Sequence, residues 1–273
     1  MIEPQGQAGD FQGLTRKIAL ERGFGCASYK EKCLRRRIAV RMRARGVHTY
    51  DDYARVLDAD AAEYDRLLDA LTINVTKLFR NWEVYASIAA NVVPAVWHRQ
   101  TSRIRVWSAG CSSGDEPYSL AILFHRFAAV NGMLPQLSRV DVLGTDIDRQ
   151  CLDAAERGQF EEADFNETPD ELRRRYFAPA EPFTVSQAVR SVVRFESRDL
   201  LSDPAPPGLH DLIVCRNVLI YFDRETQERL FEKFHQALAP NGFLVLGKVE
   251  TILGRCRSRF APVDARGRIF RRL

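Results

Sequence analysis

Apolar residues recur with two different periods along the chain, and the period changes near residue 100. From Phe11 to about Asn91 they recur every three or four residues, which predicts helices and no strand. After Arg103 short apolar or alternating runs appear between turn residues, which predicts strands separated by helices. The pattern therefore predicts a helical N-terminal part followed by an α/β part.

A strand, a turn of small residues and a helix are predicted at the start of the α/β part. Arg103–Ser108 alternates polar and apolar residues, Ala109–Ser113 contains only small residues, and Pro117–Val130 is an apolar helix pattern. Such a unit cradles nucleotides in open α/β sheets. Small residues let the backbone approach a ligand, and the helix N-terminus offers free N–H groups.

The acids at this turn favour a cationic ligand. Gly110 and Gly114 do not form the dinucleotide fingerprint, and Asp115 and Glu116 would repel a pyrophosphate. S-adenosylmethionine carries an ammonium, a sulfonium and a ribose diol, so it suits two carboxylates. The alternative is that the two acids only cap the helix, as acids often do at helix starts.

Polar residues follow two later strands. Val140–Thr145 predicts a second strand that ends at Asp146, and an acid at this point binds ribose hydroxyls in nucleotide folds. Asp211–Cys215 predicts a buried parallel strand, and Arg216 and Asn217 follow it directly. Because open α/β sheets bind ligands at the carboxyl ends of their strands, we expect these side chains at the site.

The segment Tyr29–Gly46 predicts a basic amphipathic helix. Leu34, Ile38 and Met42 form one apolar stripe, and Glu31 is the only acid among many cations. The cations considered are Lys30, Lys32, Arg35, Arg36, Arg37, Arg41 and Arg43. They form either a solvated face or a docking surface for an acidic partner, such as a receptor, a nucleic acid or lipid headgroups.

Composition narrows the class of protein. The chain is 45% hydrophobic and 28% charged, as globular proteins are, and its net charge of +4 indicates little about partners. Its six cysteines show no metal-ligand spacing, so we expect reduced thiols, a cytoplasmic location and no metal site. The sequence shows neither a leader pattern nor an apolar run of membrane-spanning length, so we expect no signal peptide and no membrane insertion.

Four motifs and one linker occur in the order found in a known family. The motifs are WSAGCSSGDEPYSLAI, GTDID, DLIVCRNVLIYFD and LAPNGFLVLG, and the linker is TINVTKLFRN. Together they resemble the CheR family, the chemotaxis receptor glutamate O-methyltransferases, over about Tyr29 to Phe270. The resemblance implies an α/β fold: a Rossmann-like S-adenosylmethionine-dependent methyltransferase sheet, with an N-terminal helical domain and a small β-subdomain insertion.

The resemblance also implies domains and an activity. Residues 11–81 would be the helical domain and linker, and 82–273 the methyltransferase domain, with the insertion at about 161–193. The composition of residues 1–10, which are rich in Gly and Gln, predicts a disordered tail. The enzyme would methylate glutamate side chains in the cytoplasmic domain of chemoreceptors, converting S-adenosylmethionine to S-adenosylhomocysteine. It would be a cytoplasmic monomer that binds no nucleic acid.

The family's site residues are carried over by position. The cofactor-binding positions are Asn74, Thr76, Arg80, Ala109, Gly110, Glu116, Asp146, Asp199, Leu200, Arg216 and Asn217. Arg80 and Tyr221 are the expected catalytic residues. The docking residues expected on the basic helix are Lys32, Arg36, Arg37, Arg41 and Arg43. No general base is expected, because a glutamate with a pKa near ~4.3 is already ionised at neutral pH.

The chain departs from the family pattern at two places. Leu78, Phe79 and Asn81 stand where two phenylalanines and an acid are usual, and Lys248 stands where a small residue or histidine is common. These departures bear on substrate identity. Two alternatives stay open: a methyltransferase for another substrate, such as RNA or a small acid, and a non-catalytic adaptor that binds the cofactor.

The insertion bears on how a receptor would be held. Some family members bind a receptor's C-terminal pentapeptide as an added strand on the β-subdomain, where glycines allow close approach. Here no glycine lies between Gly158 and Gly208, and Pro179 and Pro182 interrupt the segment. We therefore expect methylation without a tether, the alternative being that Thr184–Val193 still offers an open edge.

Overall fold

A computed structural model of the chain describes residues 8–72, 75–99 and 101–273, with no account of the side chains of residues 8–10. Residues 1–7 of the predicted disordered tail lie outside this range, and the first helix already begins at Ala8. Within the described ranges, no helix combines the length and the apolar character that crossing a bilayer requires.

The chain divides into two compact units. The helical unit comprises Met1–Asn74 together with Tyr221–Thr226, and the sheet unit comprises Val75–Ile220 together with Gln227–Leu273. The sequence pattern predicts the change from helices to a sheet, but it does not assign the short second segment to the helical unit. The predicted domain bounds at 81/82 and at 161–193 stay a prediction.

The described helices and strands follow the predicted order. The helices are α1 (Ala8–Arg22), α2 (Glu31–Ala44), α3 (Tyr50–Ala59), α4 (Ala61–Leu71), α5 (Trp82–Ser87), α6 (Val93–Trp97), α7 (Asp115–Val130), α8 (Arg149–Arg157), α9 (Asp170–Tyr176), α10 (Gln187–Arg190) and α11 (Arg224–Ala237). The strands are β1 (Ile104–Ala109), β2 (Val140–Asp146), β3 (Gln159–Phe160), β4 (Phe183–Thr184), β5 (Val193–Ser197), β6 (His210–Cys215), β7 (Leu238–Leu246), β8 (Phe260–Asp264) and β9 (Ile269–Arg272).

The helical unit is built around the apolar faces of α1 to α4. Ile18, Ile38, Tyr53 and Leu67 are completely buried in one cluster. The predicted stripe on α2 is confirmed, because Leu34 and Met42 are buried beside Ile38. Burial of these faces, rather than helix propensity, stabilises such short helices.

A buried carboxylate links three helices of this unit. Glu63 of α4 is completely buried and accepts hydrogen bonds from Arg41 of α2 at 2.6 Å and from the Tyr53 hydroxyl of α3 at 2.8 Å. Burial alone would raise the pKa of Glu63, but these hydrogen bonds outweigh it and hold the pKa below its usual range. The ion pair therefore ties α2 to α3 and α4 in their packed positions.

The sheet unit contains a seven-stranded sheet in the order β5-β2-β1-β6-β7-β9-β8. The strands from β5 to β7 are parallel, and β9 runs antiparallel to both β7 and β8. The chain thus reverses its direction of strand addition between β1 and β6, which is the position where open α/β sheets form a ligand crevice. The predicted Rossmann-like α/β fold with an N-terminal helical part is confirmed.

The helix α7 packs very closely on the sheet. A Cβ placed on Gly144 of β2 would lie 2.7 Å from the Phe195 ring and 2.9 Å from Pro117 at the start of α7. Real side chains do not approach so closely, so this position requires glycine. The contact fixes the first turn of α7 against the centre of the sheet.

Two segments are less regular than the sequence pattern predicts. The helical pattern that reaches about Asn91 ends in a run divided into α5, a wider π-helical turn and α6. Pro94 explains this, because it lacks an amide hydrogen and its ring displaces the carbonyl four residues earlier. In the segment Thr184–Val193, considered above as an open edge, the two-residue strand β4 ends at Thr184 and is followed by α10, where Val189 is completely buried.

We predict that Glu63→Ala lowers the free energy of unfolding by about 3–5 kcal/mol, the cost of leaving a buried ion pair broken. Chemical denaturation monitored by circular dichroism measures the change. Glu31→Ala is the matched control: it removes an exposed ion pair with Arg35 within α2, so we expect a change below about 1 kcal/mol. Equal effects of the two substitutions would contradict the role assigned to Glu63.

Candidate functional site

The predicted site residues of the sheet unit gather at one edge of the sheet. The strands β5, β2, β1 and β6 are parallel neighbours, so their carboxyl ends lie side by side. Asp199, Asp146, Gly110 and Arg216 come at or just after these four ends. Parallel pairing alone therefore brings together residues that are far apart in the sequence.

The small-residue loop after β1 is fixed to its neighbours on both sides. The amides of Gly110 and Cys111 donate to the carbonyl of Thr145 in β2 at 2.8 and 3.0 Å. Gly110 has a φ of 79°, and a Cβ there would lie 2.6 Å from Val218 in the loop after β6. Only glycine allows these two loops to meet so closely.

Asp146 closes the other side of the same loop. Its carboxylate accepts hydrogen bonds from the amides of Ser112 at 2.8 Å and Asp148 at 3.0 Å. Burial raises the pKa of Asp146, and the backbone hydrogen bonds act in the opposite direction. Asp148 caps α8, as its position predicts, by accepting from the amide of Cys151.

Glu116 is a buried carboxyl group in the first turn of α7. It accepts a hydrogen bond from the Ser108 hydroxyl at 2.8 Å, and its other oxygen lies 3.9 Å from the Arg216 guanidinium. Burial raises the pKa of Glu116 to about 7, while the charges of Arg216 and Arg80 oppose the shift. The group is therefore poised to ionise fully when a cationic ligand approaches.

Asp115 does not cap α7, contrary to the alternative considered for it. Gly114 occupies the N-cap position, and no side chain makes a capping hydrogen bond there. Asp115 is buried, and one of its oxygens accepts from the Ser113 hydroxyl at 2.9 Å. The other oxygen has no hydrogen-bond partner among the described residues, and burial raises the pKa of Asp115 to about 7.

The linker before α5 is anchored within the sheet unit. The amides of Leu78 and Phe79 donate to the carbonyl of Asp164 at 3.2 Å and to the Ser119 hydroxyl at 2.9 Å. Asn81 accepts a hydrogen bond from Arg216 at 3.0 Å. The linker therefore meets the carboxyl edge of the sheet, although the sequence alone gives only a weak signal for it.

The structure describes two of the three predicted linker residues. Arg80 is half-buried, donates to the carbonyl of Val75 at 2.9 Å, and its charge acts on Glu116. Thr76 is half-buried on the same segment. Asn74 lies outside the described residues. The structure thus brings Arg80 to the carboxyl edge and leaves the role of Asn74 a prediction.

Asp199 and Leu200 belong to a turn that follows β5. The Asp199 carboxylate accepts from the amide of Leu201 and from the Ser202 hydroxyl, each at 2.8 Å. Lys233 of α11 donates to the carbonyls of Leu200 and Asp203, each at 2.7 Å. These contacts hold the turn at the end of the site that neighbours Asp146.

Glu250 is a site residue that sequence reasoning missed. This buried carboxylate accepts hydrogen bonds from the amides of Gly247, Asn217 and Ile220 at 2.5, 3.2 and 3.3 Å. It therefore holds the loop after β6 in place, including Asn217, whose φ is 61°. A lone acid in a turn after β7 gives no periodic signal, so only the fold reveals this contact.

Tyr221 and the basic helix α2 belong to the helical unit. The carbonyl of Tyr221 accepts from the amide of Lys30 at 2.8 Å, and the Arg37 guanidinium lies 4.6 Å from the centre of the Tyr221 ring. Arg37 is buried, although it was expected among the docking residues, and it donates to the carbonyl of Leu71. Leu71 is the last residue of α4.

The remaining docking candidates fall into two groups. Lys32, Arg36 and Arg43 are exposed on α2. Arg41 is instead paired with buried Glu63 inside the helical unit. A helical wheel gives the direction of a side chain but not the partner that covers it, which is why Arg37 and Arg41 were grouped with the exposed cations. The docking surface, as used below, means Lys32, Arg36 and Arg43.

The carboxyl edge suits a ligand that carries a positive charge and hydroxyl groups. Glu116 and Asp146 supply carboxylates, Asn217 supplies an amide, and Arg80 and Arg216 supply guanidinium groups for a carboxylate. Small residues at 109–114 allow the backbone to approach the ligand. This donor set matches the ammonium, carboxylate and ribose of S-adenosylmethionine.

Two family models match consecutive parts of the chain. The all-alpha domain of CheR methyltransferase matches residues 9–72, and the SAM binding domain of CheR methyltransferase matches residues 74–268. Together they cover both compact units. The cofactor is therefore S-adenosylmethionine, which the carboxyl edge of the sheet fits.

Similar proteins are found in several bacteria. A chemotaxis protein methyltransferase of Listeria monocytogenes is 33% identical over 245 residues, which is 89% of this chain and 90% of that protein. A chemotaxis protein methyltransferase of Salmonella typhimurium is 34% identical over 248 residues, which is 88% of this chain and 83% of that protein. The likeness extends over nearly the whole length of both.

We predict that the affinity for S-adenosylhomocysteine falls as the pH decreases through about 7. Below that pH Glu116 is protonated in the ligand-free protein, so binding the ligand's ammonium group must first release a proton. Calorimetry should show a loss of up to about tenfold per pH unit, the limit for one proton. Glu116→Gln should bind more weakly and without this slope. An unchanged slope in the variant would assign the proton to Asp115 instead.

Proposed function

The chain belongs to the CheR methyltransferase family, and from that premise we propose that it methylates glutamate side chains of chemoreceptors. The methyl group would come from S-adenosylmethionine, and the product would be a glutamate methyl ester. We further propose that the enzyme acts as a monomer in the cytoplasm, on the cytoplasmic domain of the receptors.

The observation that carries this proposal is the near full-length likeness to chemotaxis protein methyltransferases. The alignments extend over the helical part as well as the cofactor-binding part. A protein that had only cofactor binding in common with these methyltransferases would need to resemble them only in the sheet unit. The likeness of the helical part therefore supports a shared class of substrate.

The residues at the carboxyl edge would bind and orient the cofactor. When bound, S-adenosylmethionine supplies a methyl group on a positively charged sulfur. Asp146 would accept hydrogen bonds from the ribose hydroxyls, as acids at the end of the second strand do in nucleotide folds. Glu116 would face the cofactor's positive charge, and Arg80 or Arg216 would face its carboxylate.

The chemistry needs alignment rather than a base. A glutamate side chain with a pKa near ~4.3 is ionised at neutral pH and is already a nucleophile. Aligning this carboxylate with the methyl group and removing its water can lower the activation barrier by about 7–11 kcal/mol. We propose that Tyr221 orients this carboxylate and that Arg80 holds either it or the cofactor's own carboxylate.

The two alternative functions, a methyltransferase for another substrate and a non-catalytic adaptor, are less well supported. A methyltransferase for RNA would be expected to place stacking aromatic residues among its cations, but Tyr29 is the only aromatic residue in the basic segment Tyr29–Gly46. A non-catalytic adaptor would not need the set of charged groups assembled around Glu116. We therefore propose a receptor-methylating enzyme that binds no nucleic acid.

The direct test is methyl transfer from radiolabelled S-adenosylmethionine into membranes with and without chemoreceptors. We expect receptor-dependent label that mild base releases as methanol, because a glutamate ester is base-labile whereas an N-methyl group is not. Arg80→Ala should abolish the transfer with unchanged thermal melting, since the residue is half-buried in a linker. Label that appears without receptors, or that resists base, would contradict the proposed substrate.

The docking surface should contribute to receptor affinity. We predict that the double substitution Arg36→Glu and Arg43→Glu raises the receptor KM and leaves cofactor affinity unchanged. The effect should weaken with added salt, because exposed charges are screened beyond ~8 Å at physiological ionic strength. The control is Arg16→Glu with Arg55→Glu, the same charge change at exposed positions of α1 and α3. An equal receptor KM in the two double variants would show that the docking surface is only a solvated face and does not bind the receptor.

A further inference from the structure

Arg37 is the one predicted docking residue whose side chain is almost completely covered. Only 7% of the residue is exposed, whereas its neighbour Arg36 is exposed. No described carboxylate forms an ion pair with Arg37, and its Nη2 atom is buried without a hydrogen-bond partner among the described residues. Burial lowers the pKa of Arg37, and Arg36 acts in the same direction, whereas Tyr221, Cys33 and Tyr29 oppose the shift. A buried guanidinium with so few partners requires an explanation, because burying a charge is costly.

Two contacts define what Arg37 does in the fold. Its guanidinium carbon lies 4.6 Å from the centre of the Tyr221 ring, within the range of a cation–π interaction. One of its Nη atoms donates to the carbonyl of Leu71, at the C-terminus of α4. Arg37 therefore holds the Tyr221 ring and the end of the helix that leads into the linker.

The backbone around Tyr221 is fixed by the same part of the helical unit. Lys30 donates its amide to the Tyr221 carbonyl at 2.8 Å, and Asp223 donates to the carbonyl of Ser28 at 3.0 Å. Between these bonds, Phe222 pairs with Tyr29 as an isolated antiparallel bridge. This pairing holds the backbone of Tyr221, and the Arg37 guanidinium contacts its ring.

We propose that Arg37 is a positioning residue that sets the orientation of the Tyr221 hydroxyl through its contact with the ring. The inference rests on the proposed role of Tyr221 in orienting the substrate carboxylate. Because the Arg37 guanidinium is covered, an incoming acidic protein surface cannot reach it without displacing what covers it. Arg37 therefore acts on turnover through Tyr221, while its neighbour Arg36 acts on receptor binding.

Steady-state kinetics with receptor substrates separates these roles. Arg37→Met keeps an unbranched, flexible side chain, although a shorter one, and removes its charge. We expect kcat to fall by about tenfold, the worth of one desolvated cation–π contact, with receptor KM and S-adenosylhomocysteine affinity unchanged. Arg36→Met is the contrast and should raise the receptor KM at constant kcat. Arg55→Met, an exposed arginine of α3, is the neutral control.

A double-mutant cycle tests whether the effect passes through Tyr221. In a Tyr221→Phe background there is no hydroxyl to position, so Arg37→Met should lower kcat no further. Independent losses that multiply in the double variant would overturn the proposal. So would a raised receptor KM in Arg37→Met with kcat intact, because that result would make Arg37 a docking residue.

A second substitution of Arg37 keeps the proposal testable if Arg37→Met does not fold. If Arg37→Met melts before the assay temperature, Arg37→Lys serves instead, because it retains a cation over the ring. A kcat within about threefold of the unmodified chain supports the proposal, and a loss of about tenfold or more overturns it. If the unmodified chain methylates no receptor, the proposed function fails and this inference fails with it.

Discussion

The buried pair of Glu116 and Arg216 is the interaction on which the candidate site depends. Glu116 begins α7 and Arg216 follows β6, so the pair joins the two halves of the sheet where its order reverses. Each charge lowers the cost of burying the other, because an ion in an apolar interior is destabilising unless an opposite charge lies near it. The Arg216 hydrogen bond to Asn81 then extends the contact to the linker. The cofactor edge, the linker and the central strands are thus parts of one connected polar network.

Sequence periodicity predicts most of the fold, because each strand or helix buries one face. The parallel strands β1, β2 and β6 appear as short apolar runs, and the residues after them gather at one edge without further information. That topological rule is why Asp146, Arg216 and Asn217 could be chosen from sequence. The break at Pro94 cannot be seen in the periodicity, because the apolar pattern continues across it.

Contacts between distant turns could not be predicted from sequence. Glu250 holds Asn217 through backbone amides, and such a contact leaves no pattern in either segment. The burial of Arg37 was missed for a related reason, since one residue that it contacts, Tyr221, lies far along the chain. Local periodicity gives the direction of a side chain, whereas the identity of its neighbours depends on the complete fold.

The segment Tyr221–Thr226 packs with the helical unit, although in the sequence it follows β6 and includes the first three residues of α11. The chain therefore enters the helical unit twice, and the two units are not separable by a single cut. A chimera that exchanged only the N-terminal helices with a relative would pair a foreign partner with Tyr29 and Phe222. Evolutionary or engineered exchange of the N-terminal helices would thus have to include this six-residue segment, or change both sides of the pairing together.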